Sequence, residues 1–487
     1  MIPVLLILIP LITGLALFAT GAGRARTGSL VSSILTLVVS IAGLTVFKAV
    51  RYLKYDGSWM TSIGSRFRVE LDGMGQVLCL LTAISFPLIF VSTYKNEYKN
   101  GNRFYALMML SQAGLMGVFL AKDALLFYFF WELALIPVYF LCSIWGGERR
   151  IPVTFKFFIY TFVGSLLMLI VIIYLYFQAG QSFSIESFYA LQLPHQTQSW
   201  LFWLFFAAFA VKMPIFPFHT WQPDTYEQSP TAVTMVLSGI MVKMGVFGVI
   251  RWVVPVLPVG AYLWGDTVTT LAIIGMVYAS LLAFQQNDLK RLIAYSSIAH
   301  IGLMCVAIFA TTKSGMQGVM IQMFNHGINI IGLWIVVNAI EQKLGTRKLS
   351  ELGGLAQQAP QLAILLVVVA LANISLPLTN GFVGEFLMFN GVLSSEATHY
   401  NVWFTVIAGL TIILSAVYTL YMIQKVFYGN TNALTVSATD ISLNVKVALV
   451  VIVLLILAGG IFPKPMLAIT NELSDAILNR MNVKSLF

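Results

Sequence analysis

Runs of about 20 consecutive apolar residues recur along almost the whole chain, and they constrain its fold more than any other feature. Roughly 14 of these runs are long enough to cross a bilayer. Only 10% of the residues are charged, whereas a soluble domain carries about 25%. The runs lack the short alternating pattern of barrel strands. The sequence therefore predicts an all-α polytopic membrane protein.

The predicted spans are 2–20, 29–49, 75–93, 105–121, 123–145, 155–177, 200–219, 229–253, 267–285, 289–311, 314–340, 361–394, 401–426 and 443–462. No basic residue precedes the first run, and Arg24 and Arg26 follow it. This order is typical of a first span with its N-terminus outside, rather than of a cleaved signal peptide.

Basic residues concentrate in the loops after odd-numbered spans, and the segment from Arg51 to Arg68 is the exception. Because Lys and Arg are retained on the cytoplasmic side, both termini are predicted to be periplasmic, with the chain in a bacterial inner membrane. The net charge of +9 follows from these loops and does not indicate nucleic-acid binding. The basic loop residues are Lys95, Lys99, Arg103, Arg149, Arg150, Lys290, Arg291, Lys343, Arg347 and Lys348.

Two predicted spans contain helix-breaking residues near their middle. The seventh reads AFAVKMPIFPFHTW, with Pro214 and Pro217, and the twelfth reads ANISLPLTNGFVGEF, with Pro377, Gly381 and Gly384. Proline removes a backbone donor and clashes with the preceding turn, so we expect both helices to break there. An ordinary proline kink is the alternative.

The two breaks lie five spans apart, which is the sequence sign of two structural repeats. Spans 4–8 and 9–13 are therefore predicted to be two inverted five-helix repeats with broken helices 7 and 12. The corresponding division is 1–103 for three N-terminal spans, 104–258 and 259–428 for the two repeats, and 429–487 for the last span and tail. The tail from Pro463 is mildly amphipathic, which fits either a surface helix or a disordered end.

Six Glu, Lys and His residues lie well inside the predicted spans, away from their ends. A charge in hydrocarbon costs a few kcal/mol, so such residues usually face a polar interior and carry function. Histidine titrates near neutral pH and suits proton transfer. The sequence therefore predicts a proton path formed by Glu132, Lys212, Lys243, His300, His326 and Glu385.

Two residues of this set, the acid Glu132 and the base Lys212, could attract each other as an ion pair. At about 5 Å and an effective dielectric of about 20, Glu132 and Lys212 would attract each other by about 3 kcal/mol. Separating them would favour proton release from Lys212, and rejoining them would favour uptake. Other roles remain open: a structural hydrogen bond for Glu132, a snorkelling side chain for Lys243, and satisfied core positions for the two histidines.

The chain offers no sequence signature of a cofactor site. Its three cysteines have no CxxC spacing, and no metal-binding, nucleotide-binding or nucleophile motif appears. No metal or cofactor site is therefore predicted on this chain, and any redox chemistry would belong to a partner.

Three motifs resemble one known family: VKMPIFPFHTWQPDTYEQSPTAVTMVLSGIMVKMGVFGVIR, NDLKRLIAYSSIAHIGLM and LPLTNGFVGEF. They are similar to the antiporter-like membrane subunits of respiratory complex I, the NADH:quinone oxidoreductase, and the resemblance covers nearly the whole chain. That family includes the L, M and N subunits and subunits of multisubunit sodium/proton antiporters. Glu385 stands where L and N subunits place a lysine, so the chain is most similar to the M type; its length also fits.

The resemblance implies the roles of the six residues. Glu132 and Lys212 match the family's carboxylate–lysine pair, Lys243 its central lysine, and Glu385 the terminal acid of the M type. His300 and His326 match its relay histidines.

The resemblance also implies the partners. Flavin, iron–sulfur clusters and quinone are expected on partner subunits, and L- and N-type subunits are expected as membrane neighbours. This subunit would move protons without catalysing redox chemistry itself. A sodium/proton antiporter subunit is the alternative function.

Overall fold

The computed structural model describes residues 1–481, and nearly all regular structure in them is helical. The N-terminal part contains α1 (Ile2–Leu17), α2 (Ala22–Thr45), α3 (Val50–Leu53), β1 (Lys54–Ser58) and β2 (Arg66–Glu70). The next part contains α4 (Gly73–Ser92), α5 (Gly101–Leu120), α6 (Ala124–Trp145), α7 (Arg150–Gln178), α8 (Ile185–Tyr189), α9 (His195–Lys212) and α10 (Trp221–Gln228).

The second half continues in the same way. It begins with α11 (Thr231–Val236), α12 (Val242–Gly248), α13 (Val254–Val256), α14 (Pro258–Gln285), α15 (Leu289–Phe309) and α16 (Lys313–Leu344). It ends with α17 (Leu355–Gln358), α18 (Pro360–Asn373), α19 (Asn380–Leu393), α20 (Asn401–Phe427), α21 (Leu443–Ile461) and α22 (Lys464–Met481).

Eleven helices in residues 1–481 are long and apolar enough to cross a membrane, and α1 and α18 are shorter apolar helices. A polytopic helical membrane protein is therefore confirmed, while the count of about 14 spans stays a prediction. The most apolar segments of α16 and of the helix at 231–256 are entirely buried, whereas less than half of the corresponding segments of α2, α7 and α20 is buried. Two central helices are thus shielded by the others from lipid.

The helix from Thr231 to Val256 is not a regular α-helix. Two π-helical segments, Leu237–Met241 and Val249–Val253, separate α11, α12 and α13. Such segments widen a helix locally and occur frequently at functional sites. Lys243 lies in α12, between them.

The sequence analysis missed the two-stranded antiparallel sheet between α3 and α4, in which Lys54 pairs with Glu70. Arg66 and Arg68 contact Asp56 at 2.6 and 3.0 Å, and Lys54 contacts Glu70 at 2.9 Å. Most of the basic segment that departs from the loop pattern is therefore a hairpin, in which Lys54, Arg66 and Arg68 are paired with acids.

The two ends of the helix bundle differ. The end that carries β1 and β2 is called the hairpin face here, and the other end the opposite face. The N-terminal amine of Met1 donates to the Tyr52 carbonyl on the hairpin face at 3.0 Å, and α22 packs against α4 there. The described part of the tail is therefore an ordered helix, and residues 482–487 lie outside the described residues.

Both predicted helix breaks are present. Helix α9 ends at Lys212 and α10 begins at Trp221, so the first break contains both prolines. Helix α18 ends at Asn373 and α19 begins at Asn380, so the second break contains Pro377. The glycines of the second motif lie within α19, where a Cβ at Gly381 would collide with the carbonyl oxygen at the end of α18.

Candidate proton path

Four of the six predicted site residues form one buried row across the centre of the molecule. Lys243 Nζ donates to the Ser238 carbonyl at 2.7 Å and lies 2.8 Å from His326 Nδ1. The rings of His326 and His300 have centroids 5.5 Å apart. His300 Nδ1 lies 2.9 Å from Glu385 Oε1. The row thus joins a base to an acid through two imidazoles.

The hydrogen bonds of this row suit proton transfer. A charged Lys243 has only donors, so His326 Nδ1 accepts and the His326 proton resides on Nε2. The Nε2 atoms of His326 and His300 have no protein partner. Each ring therefore has one nitrogen engaged at its end of the row and one nitrogen available for the step between the rings.

Small residues bring the helices of this row together. A Cβ at Gly239 would lie 2.7 Å from the Ile331 side chain, and a Cβ at Gly327 would lie 2.9 Å from the Gly239 carbonyl. Close backbone approach is the usual role of glycine between membrane helices. These glycines let the helix of Lys243 pack closely on α16, which carries His326.

Lys212 is buried apart from the row, at the end of α9. Its Nζ has no hydrogen-bond partner in the structure and lies 6.0 and 5.7 Å from the ring centroids of Trp131 and Phe157. The C-terminal end of a helix favours a cation, and so do aromatic faces. These two features offset part of the desolvation cost of a charged Lys212.

Glu132 is half-buried as a residue, while its Oε1 atom is enclosed within the protein. Glu132 and Lys212 are near enough to interact electrostatically, but they do not form a direct ion pair, and Glu132 Oε1 has no hydrogen-bond partner. Phe129, Ile136 and Phe140 on the same side of α6 are exposed. Glu132 thus lies beside the surface that this helix presents outside the chain, which a single sequence cannot reveal.

Six neutral polar residues that were not predicted from the sequence also belong to the site. Each is buried and has at least one side-chain atom without a hydrogen-bond partner in the protein. A polar residue within an apolar run is the sequence signal that could have found them. They are Gln112, Gln222, Tyr226, Gln322, Asn329 and Asn380.

A cavity of about 640 Å³ opens on the opposite face and reaches a buried lysine. Lys290 Nζ lies 3.2 Å from Glu341 and donates to the Ser229 carbonyl at 3.3 Å. Ser229 Oγ lies 3.1 Å from Cys142 Sγ. Arg347 contacts the other oxygen of Glu341 at 2.8 Å. Polar groups therefore lead from this face into the first half of the bundle.

A second ionic cluster lies on the hairpin face, at the N-terminus of α4. Asp72 Oδ2 contacts Lys122 Nζ at 2.7 Å and Arg251 Nη2 at 2.5 Å. Its Oδ1 accepts from the Gly75 amide at 2.9 Å, capping the helix. Burial alone would raise the pKa of Asp72, but the two cations outweigh it and hold that pKa well below its usual range.

No metal site is evident in residues 1–481, where His, Cys, Asp and Glu side chains do not gather in groups of three. The cysteines Cys79, Cys142 and Cys305 are buried and unpaired with one another. The row from Lys243 to Glu385 is an arrangement of titratable groups that suits proton transfer.

Comparison with known proteins identifies the family. Residues 121–415 match the family described as "NADH:quinone oxidoreductase/Mrp antiporter, TM". The NADH-quinone oxidoreductase subunit M of Rhodobacter capsulatus is 35% identical over 92% of this chain and 90% of its own length. The F(420)H(2) dehydrogenase subunit M of Methanosarcina mazei is 36% identical over 98% of this chain and 99% of its own.

Solved structures agree with this result. A chain of respiratory complex I from Thermus thermophilus superposes with a TM-score of 0.91 at 28% identity, covering 99% of this chain and 100% of that one. A chain of the Mrp complex from Dietzia sp. has a TM-score of 0.86 at 18% identity, covering 100% and 98%, which shows a shared fold. The chain belongs to the NADH:quinone oxidoreductase/Mrp antiporter family of membrane subunits.

Proposed function

We propose that this chain is a proton-translocating membrane-arm subunit of an NADH:quinone oxidoreductase. The observation that carries the proposal is the row from Lys243 through His326 and His300 to Glu385, with hydrogen bonds of 2.8 and 2.9 Å at its two ends. A buried row of titratable groups on separate helices is expensive, and proton movement explains its presence. The subunit M relatives support the same function.

In this proposal the path begins on the opposite face and ends at Glu385. Protons enter through the cavity at Lys290 and move towards Lys212. The buried row then carries them from Lys243 to Glu385. Lys212 Nζ has no hydrogen-bond partner in the structure, so we assign the step from Lys212 to Lys243 to water molecules bound by buried polar groups such as Gln222 and Tyr226.

Orientation and assembly belong to the same proposal. The opposite face would be cytoplasmic because it carries the basic loops, and both the N-terminus and Met481 would then be periplasmic. The two helix breaks support the inverted repeats 4–8 and 9–13. Glu132, beside the exposed side of α6, would face a neighbouring L- or N-type subunit and interact with it. Flavin, iron–sulfur clusters and quinone would be bound by partner subunits.

The proposal is tested in the purified, vesicle-reconstituted complex with Lys243→Gln. NADH-driven quinone reduction and acidification of the vesicle interior are measured together. A positioned proton-transfer group contributes about 10²–10⁴-fold to its step. We therefore expect both rates to fall by at least about 100-fold while the complex stays assembled.

Lys313→Gln is the matched control, because Lys313 is exposed and its partner is the exposed Asp475 at 2.8 Å. It should leave both rates unchanged. Full-rate pumping by an assembled Lys243→Gln complex would refute the proposed path. A proton flux that requires sodium on the other side of the membrane would instead support the antiporter alternative.

A further inference from the structure

A small cavity lies beside the end of the row that Glu385 forms. Glu385 uses Oε1 for its contact with His300. The cavity is lined by both residues and by Thr411, Ser415 and Tyr418 of α20. It offers about 10 Å³ to the centre of a water molecule, close to the minimum of about 10–15 Å³ that one bound water needs.

The wall of this cavity is a buried hydroxyl network. Tyr418 OH lies 2.9 Å from Ser296 Oγ and 3.1 Å from Ser415 Oγ. Asn373, the last residue of α18, donates to Ser296 Oγ at 3.3 Å. Ser296 lies one helical turn before His300 in α15. The network therefore connects the second helix break, the histidine helix and α20 around Glu385.

The network is neutral and almost completely enclosed. Tyr418 is fully buried, and Ser296, Ser415 and Asn373 are at most 4% exposed. A phenol has one proton, so Tyr418 donates to one serine and accepts from the other. Both directions are available, and the network can therefore present either a donor or an acceptor to a neighbour.

We propose that Tyr418 is a positioning residue for Glu385. Through Ser415 and one water held in the cavity, its hydroxyl network hydrogen-bonds the Glu385 carboxyl group in addition to His300. The polar residues that line the cavity supply enough partners to retain this water, because a buried water needs between 2 and 4 hydrogen-bond partners. This hydrogen bond holds the carboxyl group in the orientation that receives a proton from His300. The inference rests on the proposed function, since it concerns the last acid of the same path.

Tyr418→Phe in the complete complex removes one hydroxyl and keeps the buried ring. The readout is the infrared carbonyl stretch of protonated Glu385 in redox-induced difference spectra, assigned by its loss in Glu385→Gln. Losing the water-mediated hydrogen bond should move this band to higher frequency. The pumping rate should fall about tenfold, the factor expected from one hydrogen bond of ordinary strength.

Tyr421→Phe is the matched control, because Tyr421 lies on the same helix and packs against Phe284 rather than joining the network. It should leave the band and the rate unchanged. Ser415→Ala, a smaller change, should move the band in the same direction as Tyr418→Phe.

Two results separate this inference from the function on which it rests. Normal pumping by an assembled Glu385→Gln complex would overturn the proposed function. Loss of pumping in Glu385→Gln with an unshifted band in both Tyr418→Phe and Ser415→Ala would overturn only the positioning role.

Discussion

Replacing Asp72 with Asn should destabilise the protein far more than an equally conservative change in the neighbouring hairpin. Asn keeps the shape and can still cap α4 at Gly75, so the variant isolates the charge. At 2.7 Å and an effective dielectric of about 20, the attraction of Asp72 for Lys122 alone is about 6 kcal/mol before desolvation. Arg251, 4% exposed at its side chain, would remain buried with only a partial counter-charge. Removing one partner of a buried pair costs about 3–5 kcal/mol.

Asp56→Asn is the control for this prediction. Asp56 contacts Arg66 and Arg68, but its side chain is 40% exposed, and exposed pairs contribute about 1 kcal/mol or less. The free energy of unfolding in detergent micelles should therefore fall by about 3–5 kcal/mol for Asp72→Asn and by at most about 1 kcal/mol for Asp56→Asn. Equal losses in the two variants would refute the reasoning.

The same prediction has a pH dependence with a definite sign. The pKa of Asp72 is lowered in the folded protein, so its charge contributes stability above the unfolded pKa of about 3.9. That contribution is lost as the pH falls through the folded pKa. The difference in free energy of unfolding between the wild-type protein and Asp72→Asn should therefore be constant near neutral pH and shrink below about pH 4.

Two further predictions concern packing and proton uptake. Gly114→Ala should cost about 1–3 kcal/mol of unfolding free energy, because its Cβ would overlap the Ala134 backbone. Gly409→Ala, with open space around it, should be neutral or stabilising by up to about 1 kcal/mol; similar losses in both would contradict this. Lys290→Met should slow proton uptake from the opposite face at least tenfold by removing the cation beside Glu341, whereas an unchanged initial rate of proton uptake would rule out that route.

Much of the scaffold is predictable from the sequence because apolar length and backbone chemistry are local properties. Long apolar runs predict membrane helices, and Pro214 and Pro377 predict the two breaks, since proline removes a donor wherever it stands. The hairpin is missed because its strands are short and charged, unlike the half-buried strands that alternation detects.

The candidate site is predictable in its members but not in its connections. The sequence identifies Lys243, His300, His326 and Glu385 because each is ionisable within an apolar run. It does not reveal which of them touch, since the contacts join residues 83 and 85 positions apart. It also does not reveal that Glu132 lies beside the exposed side of α6, because which side of a helix faces outwards depends on how its neighbours pack.

Taken alone, the sequence determines that the chain crosses a membrane by helices, that two of those helices break, and that a few ionisable side chains lie within them. These properties follow from hydrophobicity and backbone donors, which each residue carries with it. Only the tertiary structure decides that Lys243, His326, His300 and Glu385 form a row, that Lys212 lies apart from it, and that Tyr418 lies beside its last acid. The physical reason is that hydrogen bonds and proton transfers depend on distances of about 3 Å, which only the packing of separate helices sets.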